Sequence, residues 1–353
     1  TPLSFCSYHT TTSYQPCQGY LQGTTHIPMT KRLDVVDFLR GFSIFTIVLM
    51  HLMQSYALPP FVSKAILFGG AGVHVFILCS GFGLYLSYLH KPLSYSTFLK
   101  RRFTKIYFLY VIVILLSALW GAHQSGVFEW KALLSHLFLY KMFIPQYESS
   151  FGAQMWFIST IIQFYLVWPL MVKLIKTKWH LLWGLLISMG WATLVGILGR
   201  EEERVWNSFF LQYVWEFVLG MWLASKYYQN PDMKMIPNWK IITTCLILGI
   251  GLTGFMAWNG GILKLYNDIP SLAGYLATLL LIYKLSIPLI NRFFCNTNKI
   301  SYEWYLVHIL TFEVVKSVTH IYVTPIIEFA LCLTTSYLCA YLYDFLMRKC
   351  HLK

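Results

Sequence analysis

Ten residues separate Arg40 from His51 in the segment RLDVVDFLRGFSIFTIVLMH, which runs from Arg32 to His51. On an α-helix that interval turns about 1100° and advances about 16 Å, so the two side chains share a face. Asp37 falls within about 40° of the same line. Charge in hydrocarbon costs several kcal/mol, so an acid, a base and an imidazole on one stripe of an otherwise apolar helix read as the lining of a polar cavity. The imidazole adds the capacity to take or give a proton near neutral pH. The competing reading is an interfacial anchor at the polar end and a packed core histidine at the other. Further chemistry-bearing side chains interrupt later apolar runs: His74, Glu216, Glu303 and His308. An acid at Glu216 needs a partner, either in a cavity or as a helix–helix ion pair, whereas His74 reads as a hydrogen-bonded core histidine. Lys100, Arg101, Arg102 and Lys105 form a basic cluster just before another apolar run.

The elements that must position these residues follow from composition. Of 353 residues, 57% are hydrophobic and only 12% charged, with a mean hydropathy of +0.57. An ordinary soluble domain has about a quarter of its residues charged. A net charge of +13 could suggest a nucleic-acid binder. Its placement in short clusters between apolar runs points instead to a polytopic membrane protein. Apolar runs of membrane length, about 20 residues, predict spans near 35–56, 66–89, 105–122, 154–172, 179–199, 207–225, 240–259, 269–288, 300–319 and 323–346. The run at 131–144 is short and holds Lys131, His136 and Lys141, so it reads as an interfacial or re-entrant segment. With ten spans, nineteen of the 27 Lys and Arg residues fall on the amino-terminal side and six on the other. That asymmetry predicts an integral protein of the plasma (inner) membrane with both termini cytoplasmic. The fold class expected is therefore all-α, a helical membrane bundle of about ten spans. Residues 1–28 read as a disordered or non-native tail, with Met29 as the natural start, the upstream residues coming from an over-long reading frame or a cloning remnant; residues 29–353 read as a single transmembrane domain. The eight cysteines make no CxxC pair and no metal-ligand spacing with His, so no metal is expected.

Several segments carry a resemblance when taken in order. The opening stretch is followed by GVHVFILCSGF (Gly72 to Phe82), FLKRRFTKIY (Phe98 to Tyr107), MWFISTIIQFYLVWPL (Met155 to Leu170), EFVLGMWLA (Glu216 to Ala224) and ISYEWYLVH (Ile300 to His308). Together they resemble the acyltransferase-3 family of integral membrane acyltransferases, whose members move acyl groups from a coenzyme A thioester onto extracytoplasmic glycans and related acceptors. The family's pattern of Arg, ten residues and His falls on Arg40 and His51, its acid before Leu-Arg-Gly on Asp37, and its Arg-x-x-Arg pair on Arg102 and Lys105. Lys105 departs from the pattern, since a lysine pairs with phosphate as a point charge without the bidentate fork.

The resemblance implies an O-acyltransferase with His51 as general base, acting with Arg40 and Asp37. Acyl-CoA, in the simplest case acetyl-CoA, would be a co-substrate, with no permanently bound cofactor. Its phosphates would lie against Lys100, Arg101, Arg102 and Lys105, and its arm would thread inward toward His51. Trp156, Gln163, Glu216, Tyr302, Tyr305 and His308 are the expected acceptor-site residues. The partners implied are acyl-CoA, a cell-envelope glycan or lipid-linked sugar, and membrane lipid, with no nucleic acid; an oligomer is compatible with the sequence. The rival reading is a transporter or flippase that uses the same polar cavity without chemistry.

Overall fold

Inside a bilayer every backbone N–H and C=O must be bonded within the protein, and a helix achieves this without a partner segment. The computed structural model describes residues 33–319 and 322–350, and all regular structure among them is helical. The tail expected over residues 1–28 lies outside the described residues. The frame consists of α1 (Asp34–Met53), α2 (Gly72–His90), α3 (Tyr95–Ser125), α4 (Trp130–Leu137), α5 (Trp156–Leu166), α6 (Trp168–Ile175) and α7 (His180–Ile197). It continues with α8 (Val214–Gln229), α9 (Trp239–Asn259), α10 (Asp268–Leu285), α11 (Pro288–Thr297), α12 (Ser301–Thr319) and α13 (Pro325–Lys349).

Seven helical stretches are long and apolar enough to cross a membrane, or eight when the bent pair of α5 and α6 counts as one span. The other two of the ten expected spans are also helices. Of these, α8 has only 16 residues, and α12 carries Glu303, Glu313 and Lys316. Ten is therefore an approximate count, because two segments trade length or apolarity for inward-facing polar groups. The doubtful run near 131–144 is not a span: α4 has eight residues and gives way to single 3₁₀ turns at Lys141–Phe143 and Pro145–Tyr147. Between α5 and α6 the axis turns by 65°. Pro169, in the first turn of α6, has no N–H to continue the ladder. The Leu166 carbonyl at the break accepts a hydrogen bond from the Tyr95 hydroxyl at 2.6 Å.

Helices in lipid gain little from hydrophobic exclusion and associate where small residues let backbones touch. A β-carbon on Gly220 of α8 would lie 2.0 Å from the Leu78 carbonyl oxygen of α2, and one on Gly81 would lie 2.2 Å from the Phe217 oxygen of α8. The two motif glycines thus form a reciprocal backbone contact. Gly41 does the same between α1 and α11, where a β-carbon would come within 1.8 Å of the Phe294 oxygen. Phe38 and Phe42 flank it, with ring centroids 5.5 and 4.7 Å from that of Phe294. Overpacking by one methyl in such a contact costs about 1–3 kcal/mol or more. Gly220→Ala is therefore expected to lower the melting temperature and the yield of monodisperse protein in detergent. Gly190→Ala is the control, since nothing lies within 4 Å of the added carbon, and it is expected to leave both unchanged.

Candidate active site

The helices α1, α3 and α12 each run past two cavities. The first, of about 410 Å³, is lined by Arg40 of α1, Arg102 and Lys105 of α3, and Lys299, with Asn298, Tyr302, Glu303 and Tyr305. The second, of about 540 Å³, is lined by His51 and Gln54 next to α1's end, Ser117 and Ser125 of α3, Gln154, and Glu313 of α12. Arg40 and His51 thus share a helix face and open into different chambers, one basic and one centred on an imidazole.

The basic chamber owes its charge to helical spacing. Arg102 and Lys105 are three residues apart and point the same way, whereas Lys100 and Arg101 do not line this cavity. The Arg40 guanidinium lies 5.7 Å from the Phe76 ring centroid, and its Nε has no hydrogen-bond partner. Asp37 accepts from the Asn298 side-chain amide at 2.7 Å. It thereby orients a residue of the chamber wall. Both tyrosines of the motif helix donate their hydroxyls to backbone carbonyls: Tyr302 to Ile106 at 2.8 Å, and Tyr305 to Gln154. Tyr305 lines the basic chamber and Gln154 the other, so their hydrogen bond belongs to the partition between the two.

In the second chamber the decisive contact is between two histidines. His51 Nδ1 lies 2.9 Å from His308 Nε2, with the rings 15° from parallel. His308, fully buried, faces its Nδ1 toward the carbonyls of Trp304 and Tyr305 at 3.0 and 2.8 Å. Carbonyls only accept, so that nitrogen carries the proton and His308 Nε2 is left as an acceptor. His51 must then donate from Nδ1, which assigns the lone pair to its Nε2. The network leaves His51 with one nitrogen, Nε2, whose lone pair is free of it. Sequence placed His308 among the substrate-site residues; the structure sets it against His51 Nδ1.

The remaining expected residues sit elsewhere. Trp156 stacks on Tyr213 at 6.0 Å and carries the Arg204 guanidinium over its ring at 5.3 Å. Gln163 accepts from the Phe210 backbone N–H at 3.2 Å and so braces the turn leading to α8. Glu216, fully buried, pairs with His74 at 2.7 Å, the helix–helix alternative that its sequence context offered. His74 Nε2 also lies 3.6 Å from Asp268, which sequence reasoning missed. Among the described residues these three alone gather metal-ligating atoms, within 4.8 Å of one another. The imidazole lies between the two carboxylates, one on each nitrogen, as in a hydrogen-bonded bridge rather than a convergent ligand set. The one signal for Asp268 was its place as an acid at the head of an apolar run.

A turn outside the spans closes the second chamber. Phe151 has φ of +48° and Gly152 of +106°, and both line it. Left-handed backbone at a bulky residue needs outside support. Ser150, just before, receives it from two buried bases: its carbonyl accepts from His136 Nε2 at 2.9 Å and from Lys141 Nζ at 3.4 Å. His136 in turn accepts the Tyr110 hydroxyl on Nδ1 at 2.7 Å. Burial, reinforced by the Lys141 charge, pushes His136 down to about 3. Burial also pushes Lys141 from 10.5 down to about 7, against the opposing pull of Glu148. Between these last two values the folded chain binds fewer protons than the unfolded one, so stability rises with pH across that window. A melting curve series from pH 7 to pH 10 is expected to climb for the native chain. It is expected to stay flat for Lys141→Met, which should be the more stable of the two at pH 7.

A family profile described as an acyltransferase domain matches residues 33–345. Over 161 residues the chain is 30% identical to Acyltransferase MdmB of Streptomyces mycarofaciens. That alignment spans 42% of this chain and 41% of the relative, about two fifths of its length. No solved structure matches the chain.

Proposed function

The chain belongs to the acyltransferase-3 family, and from that premise we propose that it transfers an acyl group, in the simplest case acetyl, from cytoplasmic acyl-CoA to a hydroxyl of an extracytoplasmic cell-envelope glycan or lipid-linked sugar. The observation that carries this reading is the pair of chambers served by one helix, with cations at one end and a tautomer-locked imidazole at the other. The basic chamber suits the phosphates of the coenzyme, which Arg102 would grip with a fork and Lys105 as a point charge. The nucleotide stays there while the pantetheine arm passes the Tyr305 partition to bring the thioester to His51.

At His51 the acceptor hydroxyl forms the new C–O bond with the acyl carbon as the C–S bond breaks. Its proton goes to Nε2, and from there to the departing thiolate, so the imidazole returns to its starting state. His308 holds the tautomer that leaves Nε2 free, a role like that of the acid behind the histidine in other acyl-transfer sites. A transporter has no use for such an arrangement, which is what favours chemistry over carriage. The protein would sit in the plasma (inner) membrane with both termini cytoplasmic.

His51→Ala is expected to lower transfer by about 10²–10⁴-fold, the usual worth of a positioned base, with coenzyme A binding retained. His308→Ala is expected to lower kcat with little change in KM, and His308→Gln, which keeps an acceptor, to recover part of the loss. Arg102→Ala is expected to raise KM for acetyl-CoA about tenfold, matching one charge-assisted hydrogen bond. Labelled acetyl-CoA supplied to inside-out vesicles is the direct test of sidedness. Labelling that requires the thioester on the opposite face would overturn the reading.

A further inference from the structure

The loop that follows α7 carries a cation held in place without a counter-charge. Arg204 opens a single helical turn, Arg204–Asn207, and its guanidinium lies 5.3 Å from the Trp156 ring centroid. Trp156 is stacked on Tyr213, whose ring lies 5.9 Å from that of His74 at the centre of the bridge with Glu216 and Asp268. The turn itself is pinned along its length. Thr160, four residues after Trp156 and so on the same face of α5, donates to the Ser208 carbonyl at 2.6 Å. The Tyr213 hydroxyl donates to the Asn207 carbonyl at 2.9 Å, and the Trp191 indole N–H to that of Trp206 at 3.0 Å. Three glutamates precede Arg204, and none neutralises it. Glu203 pairs with Arg200 and Glu202 with Lys264, while Glu201 Oε2 is buried. Among the described residues Arg204 pairs with no carboxylate. A guanidinium laid over an aromatic face keeps its N–H edge uncommitted. Its place is beside the reactive imidazole: the 3₁₀ turn Ala153–Met155 runs directly into Trp156, and Ala153 and Gln154 line the chamber of His51. The Arg204 charge accordingly acts on His51.

We infer that Arg204 is the anion-recognising residue of the acceptor's site, and that the acceptor is a sugar carrying a phosphate or carboxylate near the hydroxyl to be acylated. The inference rests on reading the His51 chamber as the acceptor's side. A guanidinium takes either oxyanion through two parallel N–H···O bonds, a match that a lysine cannot reproduce. Because Trp156 and the pinned turn already fix its position, the side chain loses little freedom when it binds. Grip at the anionic end also orients the sugar, so that a neighbouring hydroxyl, and not the anion, meets His51 Nε2. The phosphates of the donor and the oxyanion of the acceptor are then held by different arginines, since no Lys or Arg of the basic chamber lines the one around His51.

The test measures binding separately from turnover. Glucose 1-phosphate, methyl glucuronide, methyl glucoside and methyl glucosaminide are titrated against the full chain in detergent, with coenzyme A in excess to fill the basic chamber and affinity read from thermal stabilisation. Each anionic sugar is expected to bind about tenfold more tightly than the neutral one, as one charge-assisted bond would give. Arg204→Gln is expected to abolish that advantage for both, and Arg204→Lys to keep about threefold of it, as a charge without the fork. Arg102→Ala should leave the advantage intact. Equal affinities, no binding of any sugar, a preference for the glucosaminide, which would credit Glu129 and Glu313 instead, or an advantage lost with Arg102→Ala and kept with Arg204→Gln would each overturn the inference. So would inorganic phosphate binding as tightly as glucose 1-phosphate, the mark of an anion site that reads no sugar. Transfer from labelled acetyl-CoA is scored in membranes holding the same chain. An Arg204-dependent advantage without transfer leaves the anionic site standing and overturns the acyl-transfer reading; transfer without the advantage does the reverse.

Discussion

The hydrogen bond from His51 to His308 is the contact that decides which nitrogen of His51 is left free. An imidazole has two nitrogens and, when neutral, one proton, and without a constraint either nitrogen can carry it. Here the choice is made a full helix away. Two backbone carbonyls at the third and fourth positions before His308 hold its proton on Nδ1, and that decision passes across 2.9 Å to His51. A polar atom buried without a partner costs about 1–3 kcal/mol. A reversed tautomer would leave two such mismatches, one at each histidine. The helix backbone therefore supplies the orientation that a carboxylate supplies in many soluble enzymes.

Such a contact holds only if the helices around it cannot shift, and close backbone approach provides that rigidity. Gly41 seats α1 on α11, and Gly81 and Gly220 lock α2 to α8. The bridge of His74, Glu216 and Asp268 ties α2, α8 and α10 in the same part of the frame. The motif residues thus divide by task. Those with charge or a lone pair face the chambers, and those with no side chain set the distances between the helices that carry them.

Much of this was legible in the sequence, and what was not has a common cause. Helical period placed Arg40 and His51 on one face and the rise put about 16 Å between them, so the chambers' separation along α1 was readable. The same period put Arg102 and Lys105 together. Length and charge also excluded a span at 131–144. Period says nothing about which neighbouring helix a face meets. The contact of His308 with His51, and the bond from the Phe210 N–H to Gln163, were therefore beyond its reach. Asp268 was missed because an acid at a span's end looks like any interfacial charge. The strained turn at Phe151 and Gly152 left no trace in composition, since its support from His136 and Lys141 closes only in three dimensions.

The stacking of the chambers along α1 has one more consequence. Eleven residues at about 1.5 Å each hold Arg40 and His51 roughly 16 Å apart, and a rigid helix keeps that length constant. On the acyl-transfer reading proposed above, the span would act as a length filter. A compact activated acyl, such as an acyl phosphate, would satisfy the cations around Arg40 and still leave its carbonyl far from His51. A donor whose anionic end and reactive end are joined by a slim, flexible tether of about that length would reach both.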